Sequence, residues 1–597
     1  MDMCGVFLYT KNQNNVSPDA FLEYLKHRGP DGKKYVETQD VILGHTLLAV
    51  RDSPEKSSQP VFTKDKRYLV SFNGNIWNLK TLINKFNLDK NLILDTTVLI
   101  KIIEKIGLNF INEIRGIFSI IVFDNLKKKI YAIRDNTGQT PLYYYHKKKN
   151  FFICSEIDPI YKSLKISPEI NENEVQNSFR FINKIGNKTI YKNTFKIIPG
   201  EILQYDLNSN QLRKELFVPK IEKNNNFAFD YVGDAVEENL QNYGKVILNL
   251  SGGIDSNVVL HEILQRNSKI DICSTCFEDD QEEYNTDFQI AKEVAKENGL
   301  FFLEHKISKK QYLNNFFKSY EILEEISGNS STTNWYLTYN HIKKHKYRTV
   351  YGGDGGDEIF VGYDWFFLNK STKIFQKYGD LAKIIMNNSF LARTMFFYFN
   401  FYKKYNTILN HKNYFEGTKL VDDLKFYFNA SNLLKKFKNK NFKKIPNNLE
   451  ISNLIASQFF WLSNETFNKN NKLAMSNSLD VRFPLSEFNL RYNFIESLNK
   501  SDFETDLNKY KVRKYYKKKL NSKVFGKKRG WPAPQNWIED KFIREQILDI
   551  IPNKTVFSVK WHEIKKDLLN NPSLIRKRSF FPLISFLILL NKYKLQK

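Results

Sequence analysis

Short apolar runs dominate the first third of the chain. "GVFLYT" (5–10), "VILGHTLLAV" (41–50), "YLVSFNG" (68–74), "FSIIVFD" (118–124), "KIYAIRD" (129–135) and "FFICSEI" (151–157) are β-branched or aromatic and bounded by Gly, Asn, Asp or Lys. That pattern predicts strands closed by turns. A helical segment over 96–106 lies between two of them, so the expected fold is an α+β domain built on sheets. "KIIPGEILQYDLNSNQL" (196–212) reads as its closing hairpin and "KIEKNNNFAFD" (220–230) as a polar linker.

Beyond the linker the pattern changes. A helix over about 230–243 leads into "KVILNL" (245–250), a continuous apolar run of the kind buried in parallel sheets. "KIDICSTCF", "FFLEHKI" and "RTVYGG" repeat the strand character, with helices such as "DFQIAKEVAKENG" between them. This alternation predicts a doubly wound α/β domain with a parallel sheet. From about 364 the chain reads as mostly helical. The expected division is a front domain over 1–210, a linker over 211–230 and a back domain over 231–597.

Composition narrows the class. The chain has 597 residues, too many for one core, with 42% hydrophobic and 15% aromatic residues, which excludes a disordered chain. Its net charge is +26. Lysines are scattered along the whole length, so a solvated basic surface is the reading and no nucleic-acid partner is expected. Four cysteines (Cys4, Cys154, Cys273, Cys276) are too few for a disulfide framework and suit a reducing, cytoplasmic setting. The most apolar stretch, "FFPLISFLILL" (580–590), is about half a membrane span, so a buried helix is expected and no membrane crossing. Cys273 and Cys276 lie in a predicted strand with no second ligand pair and read as core, as does Cys154. His341 and His345 read as a helix face.

Two motifs carry chemistry. "LNLSGGIDSN" (248–257) places Ser251, Gly252, Gly253, Asp255 and Ser256 between a buried strand and a helix. Glycines let the backbone approach an anion, and N–H groups at the helix start then cradle phosphate. It lacks the Walker pattern; it is the pyrophosphate loop of enzymes that split ATP into AMP and pyrophosphate. "YGGDGGDEIFVGY" (351–363) sets Asp354, Asp357 and Glu358 after another strand. Carboxylates there suit either Mg²⁺ ligation or the organising of a substrate.

With these motifs the chain resembles the glutamine-dependent asparagine synthetase family over nearly its whole length. "MCG" (3–5), "HRGPDG" (27–32), "NGNIWN" (73–78), "LDTTV" (94–98), "RDNTGQTPLYY" (134–144) and Cys154-Ser155-Glu156 follow the family's front-domain order. "KLAMSNSLDVRFP" (472–484), "KYKVRK" (509–514) and "KKRGWPAP" (527–534) follow its back-domain order. The resemblance implies an N-terminal class II, Ntn-type amidotransferase domain of layered sheets (αββα). It implies a C-terminal ATP-pyrophosphatase-type domain with a helical extension.

In such an enzyme Cys4 attacks the carboxamide of glutamine, with its own freed α-amine as base. That role requires Cys4 to begin the mature chain, so Met3 is expected as the working start, or two further residues are trimmed. Asn73 and the Gly74 N–H would hold the oxyanion. Asn75 and Asp95 would face the glutamine, with Asp95 on its ammonium. Ammonia would pass through an internal channel to an acyl-adenylate made from ATP and a carboxylate. Leu250, Thr275, Gly352 and Gly353 would join the Ser251–Ser256 loop around ATP. Asp255 and Asp357 would hold Mg²⁺, Asp354 would serve the acyl-adenylate and Lys509 would offset phosphate charge.

Leu47 stands where the family carries an arginine for the α-carboxylate of glutamine; Arg51, four residues on, is the candidate replacement if the chain departs from a regular strand. The expected acceptor is aspartate, giving asparagine. The alternatives are another carboxylate, such as a sugar acid of a surface polysaccharide, or a non-catalytic relative that only binds nucleotide or glutamine. The resemblance also allows a homodimer.

Overall fold

The computed structural model describes residues 4–11, 16–50, 54–92, 94–181, 186–221, 229–240, 245–266, 268–279, 282–363, 366, 414, 449–503, 505, 507–526, 531, 534–577 and 580–595. Met1–Met3, Arg51, the basic stretch 527–530 and nearly all of 364–448, where helices are expected, lie outside the described residues.

Period-2 side-chain alternation builds the front domain. Along Gly5–Thr10, Val6 and Leu8 enter one apolar cluster, whereas Phe7 and Tyr9 enter another. A strand buried on both faces needs a layer on each side. Thr194–Lys196, Tyr143–Lys147, Asn150–Cys154, Gly5–Thr10, Val41–Leu47 and Gly32–Glu37 form one antiparallel sheet, in that order. Gln211–Leu216, Glu201–Asp206, Lys129–Arg134, Gly116–Asp124, Tyr68–Ile76 and Val61–Phe62 form the second.

Val6, Leu8, Leu43, Ile121, Phe123 and Ala132 fill the space between the sheets. Helices Pro18–Tyr24 and Asp158–Leu164 cover the outer face of the first sheet. Helices Leu79–Lys85 and Asp95–Ile106 cover the outer face of the second. The four layers are those expected, and Glu201–Asp206 pairs with Gln211–Leu216 as the closing hairpin. Each fully buried aliphatic or aromatic side chain in these layers contributes about 1.5–3 kcal/mol.

The back domain holds a five-stranded parallel sheet in the order Phe302–Ile307, Asp271–Phe277, Val246–Asn249, Thr349–Tyr351, Asp480–Arg482. From Val246–Asn249 the chain steps outward twice, then returns to the other side of that strand. The crevice at such a reversal is where open parallel sheets receive ligands. Here it sets the carboxyl end of Val246–Asn249 beside that of Thr349–Tyr351, with Leu248 opposite Tyr351. Both glycine-rich motifs therefore emerge at one place.

The terminal helix Phe580–Lys592 is buried over Phe580–Leu590, as its composition requires. Among the described residues no helix is long and apolar enough to cross a membrane.

A continuous helical stretch joins the domains. Leu449–Ala456 is α-helical, Ser457–Thr466 is a π-helix and Phe467–Met475 is α-helical again. All nine residues of "FNKNNKLAM" are buried although five are Asn or Lys. Most buried polar groups need partners, and both domains supply several of them here. Asn471 accepts from Arg28 of the front domain at 3.2 Å. Tyr143 donates to Asn468 at 3.1 Å and to Glu325 at 3.0 Å. Lys196 bonds Asn464 at 3.1 Å and pairs with Glu325 at 3.3 Å. Lys472 reaches Glu324 at 2.6 Å, and Glu324 also accepts from the N–H groups of Ile157 and Asp158.

Removing one partner of such a pair leaves a buried charge uncompensated. Lys472→Met should therefore destabilise the chain by about 3–5 kcal/mol. A lowered thermal midpoint with earlier proteolysis at the domain junction is the expected result; an unchanged midpoint would refute the coupling.

Candidate active sites

At the front site Cys4 is fully buried just before the strand Gly5–Thr10. Its backbone N donates to Asn73 Oδ1 at 2.7 Å, and its carbonyl accepts from Arg28 Nε at 3.1 Å. Arg28 is itself fully buried and pairs with Glu156 at 3.0 Å; His27 bonds the same carboxylate at 3.0 Å. Burial alone would raise the Glu156 pKa, but His27 and then Arg28 hold it well below the usual carboxylate range. The backbone on both sides of the Cys4 side chain is thus fixed.

Asn73 and Gly74 lie on Tyr68–Ile76 in the facing sheet. With its oxygen taken by Cys4, Asn73 turns its Nδ2 into a buried position with no hydrogen-bond partner among the described residues. An unsatisfied buried donor beside a cysteine is what a developing oxyanion needs. Gly74 has φ 147°, and a Cβ there would stand 2.1 Å from the Ile117 carbonyl oxygen, so only glycine fits. Asp95 opens the helix Asp95–Ile106, and its carboxylate accepts from the Ile76 N–H at 2.9 Å. The structure thus ties Cys4 and Asp95 to the one strand that carries Asn73, Gly74 and Asn75. Leu47 is buried at the end of Val41–Leu47, and Leu48 and Val50 pack against Met475.

At the back site, Ser251, Gly252 and Gly253 precede the helix Ile254–Gln265. Ser256 Oγ accepts from the Ser251 N–H at 3.1 Å, and Asn257 Nδ2 donates to the carbonyls of Ser251 and Gly253 at 2.9 and 2.8 Å. These bonds fix the loop against the first turn of the helix. The second motif closes on it tightly: a Cβ at Gly356 would lie 2.4 Å from Asp255 Cγ, and one at Gly353 2.5 Å from the Ser256 N. Glycine is required for this approach.

Lys509, in a left-handed conformation at φ 58°, reaches between Asp255 at 2.5 Å and Asp357 at 2.7 Å. Burial alone would lower its pKa; the two carboxylates raise it well above the usual range, so the ammonium is permanent. Two cavities meet at these acids. The smaller, about 190 Å³, is lined by the Ser251–Asp255 loop, Lys509, Arg513 and Lys523. The larger, about 420 Å³, is lined by Leu250, Thr275, Gly352, Gly353, Asp354, Trp335, Trp461, Trp531 and Lys469 among others, a size typical of small-molecule sites. Burial pushes the Asp354 carboxyl up to about 6, Lys469 opposes this, and Asp255 and Asp357 add to it.

Nearly every residue singled out in the sequence falls in one of these two places; Arg51 lies outside the described residues. Among the described residues no three or more His, Cys, Asp or Glu are grouped to hold a metal. The two carboxylates beside the phosphate loop nonetheless fit Mg²⁺, which binds through one or two carboxylates together with substrate phosphates. Cys273 and Cys276 are buried and free, their thiols pushed up to about 12 and about 11 by burial. His341 stacks on His305 at 4.3 Å and meets His345 at 4.5 Å, a contact sequence alone does not suggest. Sequence reasoning also missed Lys469 and the tryptophans. The available signal was Lys469 three residues before the "KLAM" motif, in a helix too polar to look buried.

Residues 3–217 match the profile of a glutamine amidotransferase domain, and residues 230–588 match that of the asparagine synthase family. The putative asparagine synthetase (glutamine-hydrolyzing) 2 of Methanocaldococcus jannaschii is 29% identical over 399 residues, covering 60% of this chain and 76% of its own. Asparagine synthetase (glutamine-hydrolyzing) 1 of Bacillus subtilis is 24% identical over 588 residues, 92% of this chain and 90% of its own. The amidase chyE of Penicillium rubens is 23% identical over 375 residues, 58% of this chain and 54% of its own.

The Asp354 carboxyl titrates near 3.8 when unfolded and about 6 here, so the native state binds its proton more tightly. That stabilisation is complete below pH 3.8 and is lost as pH rises through 6. Asp354→Asn should therefore raise stability by about 3 kcal/mol at neutral pH and by less in acid. Thermal melts at the two pH values check this; an equal shift at both would refute it.

Proposed function

The chain belongs to the asparagine synthase family, a glutamine-dependent carbon–nitrogen ligase that uses ATP, and on that premise we propose that its acceptor is the side-chain carboxylate of aspartate. The observation that carries the two-site chemistry is one chain holding a Cys4–Asn73 pair and, in a second domain, a glycine loop against the acids of the second motif; the choice of aspartate rests on the likeness to asparagine synthetases.

In the proposed reaction the Cys4 thiolate attacks the glutamine carboxamide. The α-amine of Cys4, once freed by processing, takes the thiol proton and passes it to the departing ammonia. Asn73 Oδ1, which accepts from the Cys4 nitrogen at 2.7 Å, would hold that amine in place. Asn73 Nδ2 and the Gly74 N–H would stabilise the oxyanion. Asn75, Asp95 and, through a local turn, Arg51 would bind the rest of glutamine. Water then releases glutamate.

In the back domain the acceptor carboxylate attacks the α-phosphorus of ATP and expels pyrophosphate into the smaller cavity. Ammonia attacks the resulting acyl-adenylate; the amide forms and AMP leaves with a proton to solvent. Leu250, Thr275, Gly352 and Gly353 would flank the nucleotide. The Ser251–Ser256 loop and Lys509 would hold the phosphates, and Asp354 would serve the acyl-adenylate. Mg²⁺ held by Asp255 and Asp357 would neutralise charge on the polyphosphate.

A second reading keeps the chemistry and changes the acceptor to a sugar acid. Trp335, Trp461 and Trp531 favour it, because flat apolar walls suit a ring.

Three measurements test these readings. Pyrophosphate release with aspartate but not with uronic acids is expected; the reverse would establish the second reading. Cys4→Ala should abolish glutamine-dependent turnover and leave ammonia-dependent turnover, whereas Asn73→Ala should slow glutamine hydrolysis roughly 10²–10³-fold. Intact mass should show Cys4 as the first residue; protein that keeps Met3 should hydrolyse no glutamine.

A further inference from the structure

Four lysines among the described residues are buried: Lys196, Lys469, Lys472 and Lys509. A buried ammonium is costly without a counter-charge. Lys196 has the Glu325 carboxylate at 3.3 Å, Lys472 has Glu324 at 2.6 Å and Lys509 has Asp255 and Asp357 at 2.5 and 2.7 Å. Lys469 is the exception: among the described residues it makes no ion pair and no hydrogen bond.

The Lys469 side chain lines the larger cavity, with its ammonium over the face of Trp335, 5.6 Å from the ring centroid. Trp335 is braced edge-on by Trp531 at 5.2 Å. Asp354 and Glu465 influence Lys469 from beyond ion-pair distance, and Glu465 accepts from Ser327 at 2.8 Å. The two lysines of the back site thus stand on different cavities: Lys509 in the smaller with the phosphate loop, Lys469 in the larger with Asp354.

We propose that Lys469 is the specificity-determining residue for the acceptor, and that it binds a second carboxylate, the one that does not react. The inference rests on the reading of the larger cavity as the acceptor's site. A cation that bound the reacting carboxylate would lose its partner on adenylation. One that binds a spectator carboxylate keeps it through every step and so orients the acceptor toward ATP. Trp335 keeps water from the pair and holds the ammonium by a cation–π contact. The substrate class that follows is a dicarboxylate, of which aspartate is one.

The test is pyrophosphate release by the full chain with aspartate and with β-alanine, which keeps the reacting carboxylate and lacks the second one. The wild-type chain should prefer aspartate by roughly 30-fold or more in kcat/KM. Lys469→Gln should remove most of that preference by raising the aspartate KM, with the KM for ATP unchanged. Lys469→Arg should retain much of the preference. No wild-type preference, an equal fall for both acceptors in Lys469→Gln, or a rise in the ATP KM instead would overturn the proposal. If the wild-type chain turns over neither compound, the aspartate reading fails separately, and the comparison moves to a panel of dicarboxylates against monocarboxylates. A dicarboxylate preference that Lys469→Gln removes upholds the role of Lys469; turnover of monocarboxylates alone overturns it.

Discussion

A charge or amide buried at the junction of the two domains is costly without a partner, because burial takes away its hydrogen bonds to water. The helix Phe467–Met475 makes this constraint acute: it is rich in Asn and Lys, yet wholly buried. Three of its polar side chains find partners across the junction, Asn471 Oδ1 with Arg28 and Asn468 with Tyr143 from one side and Lys472 with Glu324 from the other, whereas Asn470 and Asn471 Nδ2 make no side-chain hydrogen bond among the described residues. Shape-complementary apolar surfaces tolerate small slips; a lattice of short charge-assisted bonds does not. The two active sites are consequently held at a fixed distance and orientation.

That fixity bears on the chemistry. Arg28 bonds the Cys4 carbonyl with one nitrogen and Asn471 with another. Two residues earlier on the same helix, Lys469 faces Asp354 across the larger cavity. A single element thus reaches Cys4 through Arg28 at the front site and lines the larger cavity of the back site. In the back site Asp255 and Asp357 neutralise Lys509, whereas Asp354, which shares the larger cavity with them, makes no such pair among the described residues and is left with a raised pKa.

Much of the fold was legible because strand patterning is local. Runs such as "FSIIVFD" and "KVILNL" announce themselves through side-chain alternation or continuous burial, and the structure has strands at both. Gly32–Glu37 ("GKKYVE") was not legible; it is a solvent-facing edge strand whose lysines carry no apolar signal. Neither was Asp480–Arg482, three residues long, whose charged side chains pair with each other at 2.7 Å inside the core. The glycine loops could be read because close backbone approach demands glycine, as where Gly353 and Gly356 meet Ser256 and Asp255. Lys469 could not, because tertiary packing alone decides that so polar a helix is buried and which way it faces.

The π-helical segment Ser457–Thr466 leads directly into the helix Phe467–Met475, which carries Lys469 and Asn471. Its wider winding, with bonds from i to i+5, sets the angular phase at which the following α-helix begins. Adding or deleting one residue there would rotate everything beyond it by about 100°. Lys469 would leave its cavity and Asn471 would leave Arg28 in the same event. The length of this stretch, as distinct from its composition, therefore acts as a shared reading frame for two active sites that have no residue in common.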